Sequence, residues 1–249
     1  MLVNPILNKL TEMKLSGMLK AFEEQQAMTD VDQLSFEDRF GLIVDRESVE
    51  RSSRRFKSRM RKAKPKEMAC FEDIDFRQKR GLDKGMIMSL ASGDWIANHQ
   101  NIIITGPTGV GKTYIACALL HAACKANYSA KYLRVPRFLR DIETAKLDGS
   151  YEKVLRELSR TDVILLDDLG LTKVKPDQAR DLLEVMEDRH PGKSTIFTSQ
   201  VESSKWYELI SDPTVADALL DRIIHRAHLI KMTGQSMRKI KSGLTKKEE

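Results

Sequence analysis

Eight consecutive residues carry the most specific chemistry in this sequence: Gly106, Pro107, Thr108, Gly109, Val110, Gly111, Lys112 and Thr113 spell Gly-x-x-x-x-Gly-Lys-Thr. Glycines in that pattern let successive backbone N–H groups turn inward around phosphates, and the helix that follows turns its positive end toward the same charge. Lys112 is then placed to reach the β- and γ-phosphates of ATP, and the Thr113 hydroxyl to serve Mg2+. The apolar run before the loop and the helical stretch 114–126 after it supply the strand–loop–helix setting that such a loop requires.

A second acidic motif supports the first. Val163-Ile-Leu-Leu-Asp167-Asp168 is an apolar strand ending in two carboxylates. Taken alone it reads equally as a capped loop after a buried strand. Downstream of a phosphate loop, Asp167 suits the water shell of Mg2+ and Asp168 suits orientation of an attacking water. Gln200 ends the run Phe197-Thr198-Ser199-Gln200 and would sit beside the γ-phosphate if its strand neighbours the loop strand. The same Thr-Ser-Gln reads as readily as a turn. Arginine suits the charge on a transferring phosphoryl group, and Arg222, Arg226 and Arg238 are the candidates, with a surface or DNA-facing role the default for any one of them. His225 and His228 have no acidic or cysteine partner at ligand spacing and read as structural.

These residues need a scaffold. Short β-branched runs at 102–105, 131–135, 163–166, 195–198 and 229–232 alternate with helical stretches, which predicts a five-stranded parallel sheet covered on both faces. In such sheets ligands bind beyond the carboxyl ends of the strands, where both motifs fall. Residues 5–28 instead carry apolar side chains at helical spacing, and Ser35 with Asp38 three residues on marks the start of a further helix. Pro65 and the mixed stretch 71–76 break the helical pattern, so the expected division is a helical module over 1–67 and an α/β domain over 68–249.

The charge is placed unevenly. Net charge is +6, and residues 51–66 hold nine cations and no acid: Arg51, Arg54, Arg55, Lys57, Arg59, Arg61, Lys62, Lys64 and Lys66. A solvated helix face ordinarily interleaves both signs, because like charges at this density repel. A polyanion, nucleic acid above all, is the partner this run implies. The basic tail over 237–249 is expected to fray. No apolar run approaches the ~18 residues of a membrane span. The N-terminus lacks the basic-then-apolar order of a secretory signal, and Cys70, Cys117 and Cys124 form no CxxC pair, so a cytoplasmic protein is expected. Cys117 and Cys124, seven apart, fall on one helix face as two buried thiols.

The chain resembles, over essentially its whole length, the IstB-type transposition helper ATPases, relatives of the DnaC helicase loaders within the AAA+ class. The segments that carry the resemblance are Leu90-Ala-Ser-Gly-Asp-Trp95, Leu166-Asp167-Asp168-Leu169-Gly170 and Thr198-Ser-Gln-Val-Glu-Ser-Ser-Lys-Trp206. Two more are Asp212-Pro-Thr-Val-Ala-Asp217-Ala-Leu-Leu-Asp221-Arg222 and Gly234-Gln-Ser-Met-Arg238. The resemblance implies an AAA+ P-loop ATPase core, with Arg222 as an arginine finger acting in trans and Arg238 as a sensor-II-like arginine. Asp168 departs from the Asp-Glu pair usual in the wider class, and Gln200 stands where many loaders have Asn. What is implied is an ATPase that assembles as a homo-oligomer with ATP at subunit interfaces, on duplex DNA with little sequence preference, and presents that target to a transposase. Arg51, Arg54, Arg55, Lys57, Arg59, Arg61 and Lys62 would supply the phosphate contacts. The alternatives are a replicative helicase loader, which would want single-strand stacking aromatics where this module offers four phenylalanines, and a small-molecule kinase, which would not need the basic module.

Overall fold

The structure, a computed structural model, describes residues 5–29, 33–210 and 212–242. Two compact units, Met1–Ser58 and Arg59–Glu249, divide the chain. The division falls nine residues before the sequence-based boundary, inside one long helix, so the basic run is shared between the units.

The first unit begins with α1 (Pro5–Glu12) and α2 (Ser16–Ala27), where the periodicity alone reads as a single helical stretch. Lys14 adopts φ +57 and ends α1. There Leu15 N–H donates to Leu10 O and Lys14 N–H to Thr11 O, the paired closing bonds of a helix C-terminus. A lysine in the position that glycine usually fills leaves no compositional mark of the break. The next helix, α3 (Phe36–Ala63), starts where Ser35 predicts, its Oγ accepting from the Asp38 N–H at 3.1 Å. No side chain of its own caps α2; Glu47 of α3 accepts from Gly17 N–H (2.7 Å) and Met18 N–H (3.2 Å) instead. The helices come so close that a Cβ on Gly17 would lie 2.6 Å from Glu47 Cα.

The second unit takes the last residues of α3, then α4 (Lys84–Ala91) and α5 (Asp94–Ala97). A sheet follows in the chain order β1 (Asn101–Thr105), α6 (Lys112–Lys125), β2 (Ala130–Arg134), α7 (Val135–Leu147), α8 (Tyr151–Arg160) and β3 (Val163–Leu169). It is completed by α9 (Pro176–Arg189), β4 (Ser194–Ser199), α10 (Pro213–Ile224) and β5 (Ala227–Lys231), and a short α11 (Met237–Ser242) follows. The five strands lie in the order β2-β3-β4-β1-β5, all parallel, as the alternating pattern predicts. Every residue of β1 and β4 is buried, which is why these strands read as continuous apolar runs without alternation. Ile102, Ile103 and Ile104 are each at most 1% exposed, and such side chains contribute about 1.5–3 kcal/mol apiece on burial. One core joins Ile103, Leu166 and Phe197 of the sheet to Leu182 of α9, Leu219 of α10 and Trp206.

Cys117 and Cys124 are fully buried in α6, and burial pushes both thiols up to about 11, so they pack as small apolar groups. Residues 1–4 and 243–249 lie outside the described residues, and with them most of the tail expected to fray; 237–242 are helical. Among the described residues no helix is long and apolar enough to cross a membrane.

Candidate nucleotide site

β4 lies between β1 and β3, so the loop after β1 and the acidic end of β3 flank the polar end of β4 at the carboxyl edge of the sheet. The loop turns on its glycines. Gly109 has φ +83 and faces Ser236 so closely that a Cβ would sit 2.2 Å from its Oγ. Gly111 has φ +105 and serves as the N-cap of α6, directing the first N–H groups of that helix into the loop. Lys112 is nearly buried, its Nζ donating to Gly106 O (2.8 Å) and Pro107 O (2.9 Å) at the centre of the loop. Burial lowers its ammonium pKa, while the Asp168 and Asp167 carboxylates act in the opposite sense.

Asp167, wholly buried, is the hub. Its Oδ1 accepts from Thr113 Oγ1 (2.9 Å) and Thr198 Oγ1 (2.6 Å), and its Oδ2 from the Tyr132 hydroxyl (2.8 Å). Lys66 Nζ stands 3.8 Å from Oδ2. Burial, with the adjacent Asp167 carboxylate, drives the Tyr132 phenol far above its ordinary pKa, so it stays a donor at any neutral pH. Asp168 faces another way. The β3–β4 register shifts between Leu166 and Leu169, and Asp168 sits at φ +65, a conformation non-glycine residues rarely hold. Its N–H donates to Thr198 Oγ1 (3.0 Å), and its carboxylate accepts from Arg134 Nε at 2.9 Å.

The loop, Lys112, Thr113, Asp168, Gln200 and Arg238 line one cavity of about 350 Å3, within the usual range for a small-molecule site. Gln200 reaches the loop directly, its Oε1 accepting from Thr108 Oγ1 at 2.8 Å. Arg238 arrives through α11, which Met237 N–H ties to Gly109 O at 2.9 Å. A hydroxyl and a carboxylate oxygen 2.9 Å apart, Thr113 Oγ1 and Asp167 Oδ1, are the hard oxygen donors that suit Mg2+. Among the described residues no group of three or more histidine, cysteine or acidic side chains is placed to hold a metal, and His228 bonds Gln100 at 2.8 Å.

Arg222 is the site residue that is not brought here. It lies at the amino edge of the sheet, where Asn101 Nδ2, at the start of β1, donates to its carbonyl, and its Nη2 pairs with Glu187 Oε1 at 2.8 Å. Of the residues read as phosphate contacts, Arg51 and Arg54 pair with Glu47. Arg59 donates to Cys124 O and Asn127 Oδ1. Arg55, Lys57, Arg61 and Lys62 have no ion pair among the described residues. Sequence reasoning missed Tyr132 and Arg134, two positions apart at the end of β2, and Arg80, whose guanidinium donates to Val110 O (3.2 Å) and Asp75 O (2.6 Å) beneath the loop. Polar side chains at the carboxyl end of a strand next to the acidic one were the available signal for the first two; Arg80 had none.

The chain has relatives that match it along most of its length. The insertion-sequence ATP-binding protein y4pL of Sinorhizobium fredii is 45% identical over 239 residues, spanning 96% of this chain and 98% of that one. The ATP-binding protein of insertion sequence IS1162 from Pseudomonas fluorescens is 46% identical over 205 residues, 82% and 89% of the two chains. Among solved structures, DnaI superposes with a TM-score of 0.58 at 22% identity over 66% of this chain and 91% of its own. AMPPCP-bound DnaA from Aquifex aeolicus superposes with a TM-score of 0.57 at 18% identity over 74% and 57%. These two likenesses are of fold. The family model described as IstB-like ATP binding protein matches residues 8–245, nearly the whole chain. The chain therefore belongs to the IstB-like ATP binding proteins, and it is an ATPase of AAA+ architecture.

Proposed function

We propose that this chain is the ATP-dependent helper of a transposase, a cytoplasmic protein that assembles on target duplex DNA with little sequence preference and there recruits or activates the transposase. The observation that carries the reading is the division of the hydrolytic parts between the two edges of the sheet. Loop, metal-side hydroxyl and Asp168 line one cavity at the carboxyl edge, with Asp167 buried directly behind the Thr113 hydroxyl, whereas Arg222 stands at the amino edge. An arginine in that place serves a neighbouring subunit's nucleotide, which makes hydrolysis depend on assembly. The relatives named for insertion sequences supply the biological setting.

In this reading the loop N–H groups and Lys112 bind the ATP phosphates, and Thr113 with Asp167 would hold Mg2+, which supplies neutralisation of phosphate charge. Asp168 orients the attacking water, Gln200 sits against the loop beside the terminal phosphate, and Arg238 closes the cavity from α11. Arg55, Lys57, Arg61 and Lys62 contact DNA phosphates, which give affinity without sequence information.

Sedimentation of the purified protein with random-sequence duplex or single-stranded DNA, each with and without ATP, tests this. Large assemblies on duplex that need ATP and vanish in Lys112→Ala are the expected result. A preference for single strands points to a helicase loader, and no DNA-bound assembly with either strand form removes the helper reading.

A further inference from the structure

We propose that a second basic surface, a groove on the ATPase unit between the end of α3 and the outer face of α8, takes the phosphate backbone of duplex DNA. This rests on the reading above that the chain binds duplex, and it assigns to the ATPase unit contacts that the basic run alone would not provide.

The groove is open and holds about 930 Å3. Lys62 and Lys64 border it on one side, and Lys153, Arg156 and Arg160 of α8 on the other. All five are exposed. Glu157 is the one acid on its walls, and it is already paired, accepting from Lys131 Nζ at 2.5 Å. Among the described residues none of the five has an acidic partner within ion-pair distance. Cations crowded in this way repel one another unless a polyanion relieves them.

The helix explains the alignment. α8 buries Leu155 and Leu158 against the core, which turns Lys153, Arg156 and Arg160, three and four residues apart, onto the opposite face. At ~1.5 Å rise per residue these cations span roughly 10 Å, about three of the ~3.4 Å steps along a DNA strand. The strand order places the groove at the β2 edge of the sheet, where Ser129 and Thr161 precede β2 and β3. It is thus at the amino ends of the strands, away from the nucleotide cavity.

The lining also selects the partner. Protein interfaces are anchored by aromatic and large apolar side chains, and single strands are held by stacked aromatics. This groove has neither, its apolar lining being Ala130 and the stems of its cations. Flexible ammonium and guanidinium groups without a stacking platform fit a duplex backbone.

The test uses the full chain and the triple variant Lys153→Gln, Arg156→Gln, Arg160→Gln, which keeps good helix formers and leaves the nucleotide cavity untouched. Binding to random-sequence duplex is measured by fluorescence anisotropy across a salt series, beside binding of a fluorescent ATP analogue. With ~0.9 counterions released per phosphate contact, the slope of log affinity against log salt should shrink by up to about 2.7, with duplex binding at least about tenfold weaker near 0.1 M salt and analogue binding unchanged. If the wild type binds duplex and the variant matches it in affinity and slope, the groove assignment is wrong while the helper reading stands. If the wild type does not bind duplex, both fail together. Unchanged duplex binding with loss of transposase capture would make the groove a protein surface and overturn the proposal.

Discussion

Asp167 shows how a buried carboxyl group beside the phosphate loop is given partners for both of its oxygens. It is wholly buried, yet three hydroxyls donate to its two oxygens and a lysine stands 3.8 Å away, so neither oxygen is left without a partner. Tyr132 matters most for stability because its hydroxyl gives Oδ2 its one short hydrogen bond among the described residues. Tyr132→Phe should destabilise the ATPase unit by roughly 1.5–3 kcal/mol, the scale of a hydrogen bond to a charged group. A thermal melt should fall by several degrees, and an unchanged melt would show that Lys66 compensates. The sign of the pH dependence follows from the upward shift of the phenol. The folded chain holds that proton more tightly than the unfolded one, so the contribution is complete below the free phenol value of about 10 and is lost only as pH rises above it. Asp168 is tethered more loosely. Its partner Arg134 is 49% exposed, and exposed pairs contribute about 0–1 kcal/mol, so the carboxylate can leave this bond at little cost.

At the scale of elements, the Glu47 clip between α2 and α3 is the feature most open to test. Burial by itself would raise this carboxyl, but the Arg51 hydrogen bond and the N–H groups of Met18 and Gly17 outweigh it and hold the pKa below the usual carboxylate value. Its contribution is therefore present above about pH 4.5 and lost as pH falls through the depressed folded value. Glu47→Gln should cost the helical unit about 1–3 kcal/mol, read as faster amide exchange in α2 with exchange in the sheet unchanged. Equal exchange in α2 would mean the clip is decorative. No local pattern announces such a clip, because its partners are thirty residues apart. Much else at this scale was legible. Five short runs became five strands: the central β1, β3 and β4 are buried and so read as apolar runs, the edge strands β2 and β5 mix polar and apolar residues, and the phosphate loop with its acidic strand could be read from side-chain types alone. What was hidden depends on backbone or tertiary context: the lysine that ends α1, the register shift that turns Asp168 outward, and Arg80 beneath the loop.

For the whole molecule, the position of Arg222 decides whether hydrolysis belongs to one chain or to two. β1 runs from Asn101, which holds the Arg222 carbonyl, to Thr105, directly before the phosphate loop. Five residues of strand at ~3.3 Å each put roughly 16 Å of buried sheet between Arg222 and its own loop. No side-chain rotation crosses that distance in this fold, which is why the proposed role of Arg222 in phosphate chemistry is assigned to a neighbouring subunit. Mixing tests this directly. Arg222→Ala should bind ATP normally but turn it over at least about 10³-fold more slowly, the usual weight of such an arginine, and Lys112→Ala should bind none. Neither hydrolyses ATP alone, but a mixture brings an intact loop against an intact Arg222 and should recover a substantial part of the wild-type rate on duplex DNA. If Arg222→Ala alone hydrolyses at the wild-type rate, Arg222 is no finger. If the mixture stays inactive although both variants enter one assembly, Arg222 acts within its own chain through a rearranged sheet edge, and the neighbouring-subunit arrangement is excluded.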